Sequence, residues 1–221
     1  MRKSDKMTNA EKEQFCLLAA ALLNRPDEVL VEDLAQKGLC ARLEDCVGQW
    51  GRSEVSLPAL FPGRDDKGFL RALQQEYGRL FSDQDGGRIS LVESTYKPWT
   101  KDKSCGMVFA ASKGLVMGDP AVHMLDVYDQ LSLEVPEEFR STPDHLVLEL
   151  EFLALLYRSA SQEMIGGFLE DHLDWIQYLE DEVEKVGPHP FYRTAVGLVH
   201  SFLRHEMEYI RGTDHGEKRI H

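Results

Sequence analysis

Residues 142–152 read TPDHLVLELEF, and how this stretch is read decides the fold. Thr142 is a favourable N-cap, the extended backbone before a proline suits a cap, and Pro143 fits the first helical position. The apolar residues that follow recur at helical rather than alternating spacing, so a helix is expected over 143–161. At about 100° per residue, His145, Glu149, Phe152, Leu153 and Leu156 share one sector, with Glu151 and Arg158 on the other side. A histidine and a carboxylate therefore point inward among leucines. Burying either without a partner is unfavourable, so the pair belongs to a satisfied structural network or to a site.

Working outward, helix-period patterns dominate and no alternating strand is found, which gives an all-α chain, a compact bundle of about nine helices. Helices are expected over 9–24, 27–37, 39–49, 65–81, 104–117, 119–131, 143–161, 166–185 and 189–211. Thr8 and Glu11 form a capping box ahead of the first. Breaks fall at Arg25-Pro26, Gly38, the Gly51 to Gly63 stretch with Pro58 and Pro62, Asp85-Gly86-Gly87, Gly118-Asp119-Pro120 and Gly187-Pro188. Two longer irregular segments remain, 82–103 and 132–142. The second reads as a hinge loop joining two helical layers, an N-terminal one over about 8–131 and a C-terminal one over about 143–211. Residues 212–221 read as a frayed tail. There is no repeat of the length that builds helical solenoids.

The chain has 221 residues, 43% of them hydrophobic, enough for one sizeable domain. Its 38 acidic against 25 basic residues leave a net charge of -13, which argues against nucleic acid as a partner and favours cationic ones. Cys16, Cys40, Cys46 and Cys105 lack C-x-x-C spacing and read as reduced packing residues, which suits the cytoplasm. The apolar run FCLLAAALL at 15–23 follows Arg2, Lys3 and Lys6 as a signal peptide's core would. However, Glu11, Lys12 and Glu13 abut it, so a first helix is the better reading. No apolar stretch approaches the ~20 residues of a membrane span.

The familiar catalytic motifs do not occur. No histidine has a glutamate three residues before it, as a di-iron bundle requires. His205-Glu206 begins like a zinc-protease helix, but Tyr209 stands where the second histidine belongs, and GRDDKGF at 63–69 has Phe69 in place of a phosphate-loop lysine. Neither G-x-G-x-x-G nor G-x-S-x-G is present. Asp144-His145 and Asp171-His172 diverge by about 100° within a helix, so neither dipeptide chelates an ion alone. Assembled across helices they would make a metal- or nucleotide-dependent hydrolase, the alternative to a binding protein. No catalytic residue, metal ligand or cofactor is assigned.

Taken together, ESTY at 93–96, GLVMGDP at 114–120, LEVPEEF at 133–139, TPDHLVLELEF at 142–152, HLDW at 172–175 and PFY at 190–192 resemble the TorD/DmsD/NarJ-type redox enzyme maturation chaperones. The resemblance covers about residues 10–210 and is most specific in the 143–152 helix. It implies a TorD-like, all-helical cytoplasmic chaperone without enzymatic activity. Its partner would be the catalytic subunit of a molybdopterin-containing oxidoreductase of the dimethyl-sulfoxide-reductase type, with that subunit's twin-arginine signal peptide. The chaperone would bind both, assist cofactor insertion and delay export until the client has folded. It also implies a role in signal recognition for Asp144, His145 and the 133–143 loop, and a monomer able to exchange its halves into a domain-swapped dimer.

A twin-arginine peptide joins a cationic to an apolar segment, so its receptor should offer carboxylates beside an apolar groove. Glu134, Glu137 and Glu138, with Pro136 among them, adjoin the helix of Asp144 and Glu149, and Phe139, Phe152 and Trp175 are apolar candidates. Glu93, Tyr96 and Tyr128 complete the candidate set. Each residue also has a plainer role. Asp144 favours a helix N-terminus, Glu93 and Tyr96 could pin a loop, and the glutamate run could be a solvated surface. Tyr128 falls on a core-like stripe, as does Trp175 with Phe168, His172 and Leu179.

Overall fold

The first helix of the chain finds its cover at the other end of the sequence. The computed structural model describes residues 7–35, 43, 44, 47, 57–60, 66–81 and 88–217, with side chains described as far as 212. Helix α1 (Asn9–Leu23) starts at Thr8, whose hydroxyl accepts the Glu11 N–H while the Glu11 carboxylate accepts the Thr8 N–H, the expected capping box. Its buried face carries Phe15, Cys16, Ala19, Ala20 and Leu23. The alanines let α6 (Leu146–Ser159) lie close along it, the most extensive helix pairing among the described residues. Nearly the whole first two turns of α6 are buried, Leu146 through Leu150 without interruption.

Between these two lie α2 (Glu28–Ala35), α3 (Asp66–Phe81), the single turn α4 (Glu93–Tyr96) and α5 (Asp119–Gln130); after them come α7 (Gln162–His172), α8 (Ile176–Val186) and α9 (Pro190–Glu217). The structure is 70% helical, with nine α-helices and no strand among the described residues. Helix α9 packs on α8, α1 and α7, α2 on α3, and α4 on α5. A single core of buried side chains runs from Met7 to Leu203. The largest fully buried members are Trp175, Tyr192, Phe191 and Phe202, and ring pairs such as Phe15 with Phe202, 4.5 Å apart, tie α1 to α9. Lys12, Glu206 and Tyr157 form a buried polar knot at the same junction, the Lys12 ammonium donating to Glu206 Oε2 at 2.6 Å and the Tyr157 hydroxyl at 2.9 Å. No helix among the described residues is long and apolar enough to cross a membrane.

Four expectations need correction. The pattern over 104–117 does not form a helix but a run of turns. Ser104, Gly106, Ser112 and Gly114 weaken its helical propensity, while backbone bonds from Trp99 N to Ser112 O and Thr100 N to Ala110 O, both 2.9 Å, fold it back on itself. The helix expected from Pro143 starts instead at Leu146 with His145 as its cap, because residues 142–145 form a turn, closed by His145 N on Thr142 O at 3.1 Å, and His145 then bridges to Val92. The helix expected over 166–185 is two, α7 and α8, broken at Leu173-Asp174-Trp175. The Asp171 carbonyl there is taken by the Lys97 ammonium at 2.7 Å rather than by a further helical turn. The tail expected from 212 is helical through Glu217. Most of the 39–49 helix, with Cys40 and Cys46, lies outside the described residues.

Candidate functional site

Two of the motifs read separately in the sequence are joined in the fold. Val92 and His145 form an isolated antiparallel bridge, flanked by bonds from Glu93 N to Asp144 O at 3.0 Å and from Leu146 N to Leu91 O at 2.8 Å. The Asp144 carboxylate then accepts through Oδ2 the Ser94 N–H at 2.7 Å and the Ser94 hydroxyl. Both residues are completely buried. Burial pushes the Asp144 carboxyl above its ordinary range against the opposing pull of the Ser94 hydrogen bonds. ESTY and TPDH thus clamp each other, and the clamp fixes where α6 begins.

Behind the clamp lies a buried polar bracket. Glu93, wholly shielded from solvent, accepts from the Lys97 ammonium through Oε1 at 2.5 Å and pairs through Oε2 with His172 Nδ1 at 2.8 Å. Lys97 also contacts Asp174 Oδ1 at 2.5 Å. His172 Nε2 meets Nδ1 of His123 at 2.6 Å, with the two rings stacked 4.8 Å apart. His123 itself is exposed, so this row of groups reaches the surface. Burial opposes the charge on Glu93, but the His172 hydrogen bond, with the Lys97 charge behind it, keeps the carboxyl below its usual range. Burial likewise opposes the charge on Lys97, and Glu93 and Asp174 outweigh it.

Glu149 faces this bracket from α6. The Trp175 indole donates to its Oε2 at 3.3 Å, whereas Oε1 is buried and accepts from nothing. As a carboxylate Glu149 would leave that oxygen orphaned beside a second negative charge. As a carboxylic acid it has a proton to donate to Glu93. Burial first, then the Glu93 charge and hydrogen bond, hold its carboxyl well above the ordinary value, so Glu149 is the neutral member of the pair. Tyr96 stacks on Trp175 at 4.9 Å, and its hydroxyl lies 2.9 Å from Ser90 O and 2.7 Å from Glu182 Oε2. Glu93, Glu149 and His172 bring one ligand atom each within 4.8 Å of one another, the donor set of a divalent metal site. The Lys97 ammonium already stands on Glu93, however, and the Glu149 proton answers the remaining charge, so the bracket is balanced by groups of the chain itself.

On another side of α6 the 133–136 loop forms a groove. Ser132 adopts a left-handed backbone at φ 53, and Leu133 N donates to Tyr128 O at 2.8 Å, which turns the chain back over the helix. The cavity of about 210 Å³ beneath it is lined by Tyr128 from α5, Leu133 to Pro136 from the loop, and Leu148, Glu151, Phe152 and Leu155 from α6. Phe152 is held by edge contact with Tyr128 at 5.9 Å and by Phe168 at 5.0 Å. The Tyr128 hydroxyl donates to Pro143 O at 3.3 Å. Glu134 and Glu151 are the carboxylates of an otherwise apolar lining, and partial burial raises the Glu151 carboxyl above its usual range.

The structure therefore sorts the sequence candidates into two groups. Tyr128, Glu134, Pro136 and Phe152 meet in the groove. Glu93, Tyr96, Asp144, Glu149 and Trp175 are buried in the clamp and bracket. His145 joins the clamp through its backbone alone. Its Nδ1 accepts the Val147 N–H at 3.2 Å as the cap of α6, its ring lies 4.8 Å from Phe139, and burial lowers its pKa to about 4. It borders a wider cleft of about 770 Å³ together with Thr142, Arg25 and Arg88. Glu137 stands on the surface, paired with Arg140 at 2.7 Å. The two Asp-His dipeptides split in the same way: Asp144 serves Ser94, His145 caps, Asp171 gives a carbonyl to Lys97, and His172 serves Glu93. Residues missed at first are Ser94 in the clamp, Lys97 and His123 in the bracket, and Leu133, Glu151 and Leu155 in the groove. Lys97 was signalled by its i,i+4 spacing from Glu93, whereas no local pattern marks Ser94 as the partner of a residue 50 positions away.

No curated protein matches the chain. A family model, that of the nitrate reductase delta subunit, matches residues 33–186, a span that holds the clamp, the bracket and the groove together. The match extends over more than half of the chain, which belongs to the nitrate reductase delta subunit family, a group of redox enzyme maturation chaperones that assemble molybdoenzymes.

Proposed function

We propose that this protein is a system-specific chaperone for one molybdopterin-containing catalytic subunit of the dimethyl-sulfoxide-reductase type. It holds that subunit's twin-arginine signal peptide in the groove under the 133–136 loop, assists cofactor insertion into the apoprotein and delays export until the client has folded. The observation that carries the reading is the composition of the groove, an apolar lining of Leu133, Leu148, Phe152 and Leu155 with Glu134 and Glu151 beside it. Its volume of about 210 Å³ falls below the ~300–1,000 Å³ of small-molecule sites, which suits the apolar anchors of a bound chain rather than a compact ligand. Carboxylates beside such anchors match a segment in which arginines precede an apolar stretch.

In this proposal the buried residues act at one remove. Glu93, Asp144, Glu149 and Trp175 fix the start and rotation of α6, and through it the positions of Leu148 and Phe152. Calorimetric titration with a synthetic twin-arginine leader at low salt tests the reading. Saturable binding is expected for the native protein, with affinity about tenfold or more lower, equivalent to about 1.4 kcal/mol, in a Glu134→Lys/Glu151→Lys variant. Binding that is absent from the native protein, or unchanged by the double charge reversal, refutes it.

A further inference from the structure

The segment that failed to become a helix leaves an apolar tip exposed. Half of the large apolar side chains exposed among the described residues lie between Met107 and Val122. Val108 has the full exposure of an extended chain, 101%, and its neighbour Met107 is 52% exposed. The loop beneath them is ordered. Besides the two backbone bonds that close it, Trp99 packs edge-on against Phe109 at 5.0 Å, and Asp119 N donates to Trp99 O at 2.7 Å. Gly118 is required at that closure, since a Cβ there would lie 2.6 Å from Trp99 O.

The charges around the tip differ from those of the rest of the chain. In a protein of net charge -13, exposed Lys101, Lys103 and Lys113 flank the tip on both sides. Lys101 and Lys103 make no ion pair among the described residues, and Lys113 lies over the Tyr178 ring at 5.1 Å. The nearby carboxylates are turned to the loop's own backbone. Asp102 accepts from Ser104 N at 2.8 Å, and Asp119 accepts from Lys101 N at 2.8 Å and from the Thr100 hydroxyl.

We propose that residues 99–118 are a membrane-docking loop, whose Met107-Val108 tip enters an anionic lipid bilayer while Lys101, Lys103 and Lys113 meet its head groups. A projecting apolar tip inside a collar of lysines matches the two layers of such a surface, hydrocarbon and anionic head group. An apolar groove on another protein would accommodate the tip and leave the lysines without a purpose. The acidic body does not forbid the contact, because charges beyond about 8 Å are largely screened at physiological salt. The loop contributes no residue to the groove beside α6, so the proposal stands independently of the leader-peptide reading.

Co-sedimentation of the full chain with vesicles tests it. The protein is expected to pellet with vesicles of mixed phosphatidylcholine and phosphatidylglycerol, less so as salt rises, and not with phosphatidylcholine alone. Met107→Asp/Val108→Asp and Lys101→Glu/Lys103→Glu variants should each lower the bound fraction at least about tenfold. Both should keep the native circular dichroism and leader affinity, since the substituted side chains are exposed. A native protein that stays in the supernatant with anionic vesicles at low salt overturns the proposal, as does binding that both variants retain. Loss of the catalytic subunit from pull-downs with the tip variant, alongside indifference to vesicles, would assign the loop to a protein partner instead.

Discussion

Replacing Glu149 by glutamine should stabilise the protein increasingly as pH rises. The native fold holds Glu149 as a neutral acid, with burial and the Glu93 charge pushing its carboxyl well above the ordinary range. In the unfolded chain the same group ionises near pH ~4.3. Above that pH the native state carries a proton that the unfolded state has lost, so stability falls as pH rises, by about 1.4 kcal/mol per unit, until native Glu149 itself ionises. Glutamine has nearly the same volume, keeps an oxygen for the Trp175 N–H and offers an N–H to Glu93, yet takes up no proton. The variant's advantage should therefore widen by about 2.7 kcal/mol between pH 5 and pH 7 while Glu149 stays protonated. Urea unfolding followed by circular dichroism at pH 5, 6 and 7 measures it, with equal m-values as the control. Parallel pH profiles for the two proteins, or a glutamine variant less stable by about 1 kcal/mol or more throughout, would show that Glu149 is not the buried acid described.

Lys97→Met removes the ammonium from a carboxylate with no access to solvent and should destabilise by about 3–5 kcal/mol. Adding Glu93→Gln should restore much of that, and thermal unfolding of the two variants gives the comparison. Gly118→Ala forces a methyl group against Trp99 O. It should cost about 1–3 kcal/mol and disturb the near-ultraviolet signal of Trp99 while leaving far-ultraviolet helicity intact. Shortening the 132–142 connection should favour exchange of the C-terminal helices between two chains, and light scattering across concentrations would then show a larger dimer fraction than in the native protein.

Much of the fold was legible because most helices carry their own punctuation. The Thr8-Glu11 box and the left-handed Gly187 at the end of α8 are local signals that tertiary packing did not override. Three of the four errors share one cause. At 104–117, 143–145 and 173–175 a helical pattern was present, but a partner distant in sequence had a stronger use for the backbone: Trp99, the clamp at Asp144 and the Lys97 ammonium. The candidate site was legible by residue type but not by arrangement. Spacing showed that His145 and Glu149 were unusual among leucines. It could not show that one would become a helix cap while the other became a buried acid facing Glu93 from a distant segment.

The pairing of α1 with α6 and α9 has a consequence for how the protein is made. Lys12 finds its ion-pair partner 194 residues later, and the apolar side of α1 is covered by helices that begin at 146 and 190. At ~5–20 residues per second, the ribosome needs roughly 10–40 s to supply that cover. Until those helices emerge, the apolar side of α1 lacks its native cover. A protein whose family guards unfinished enzymes therefore passes through a stage of its own in which its first helix is exposed, and its folding waits on its last helix.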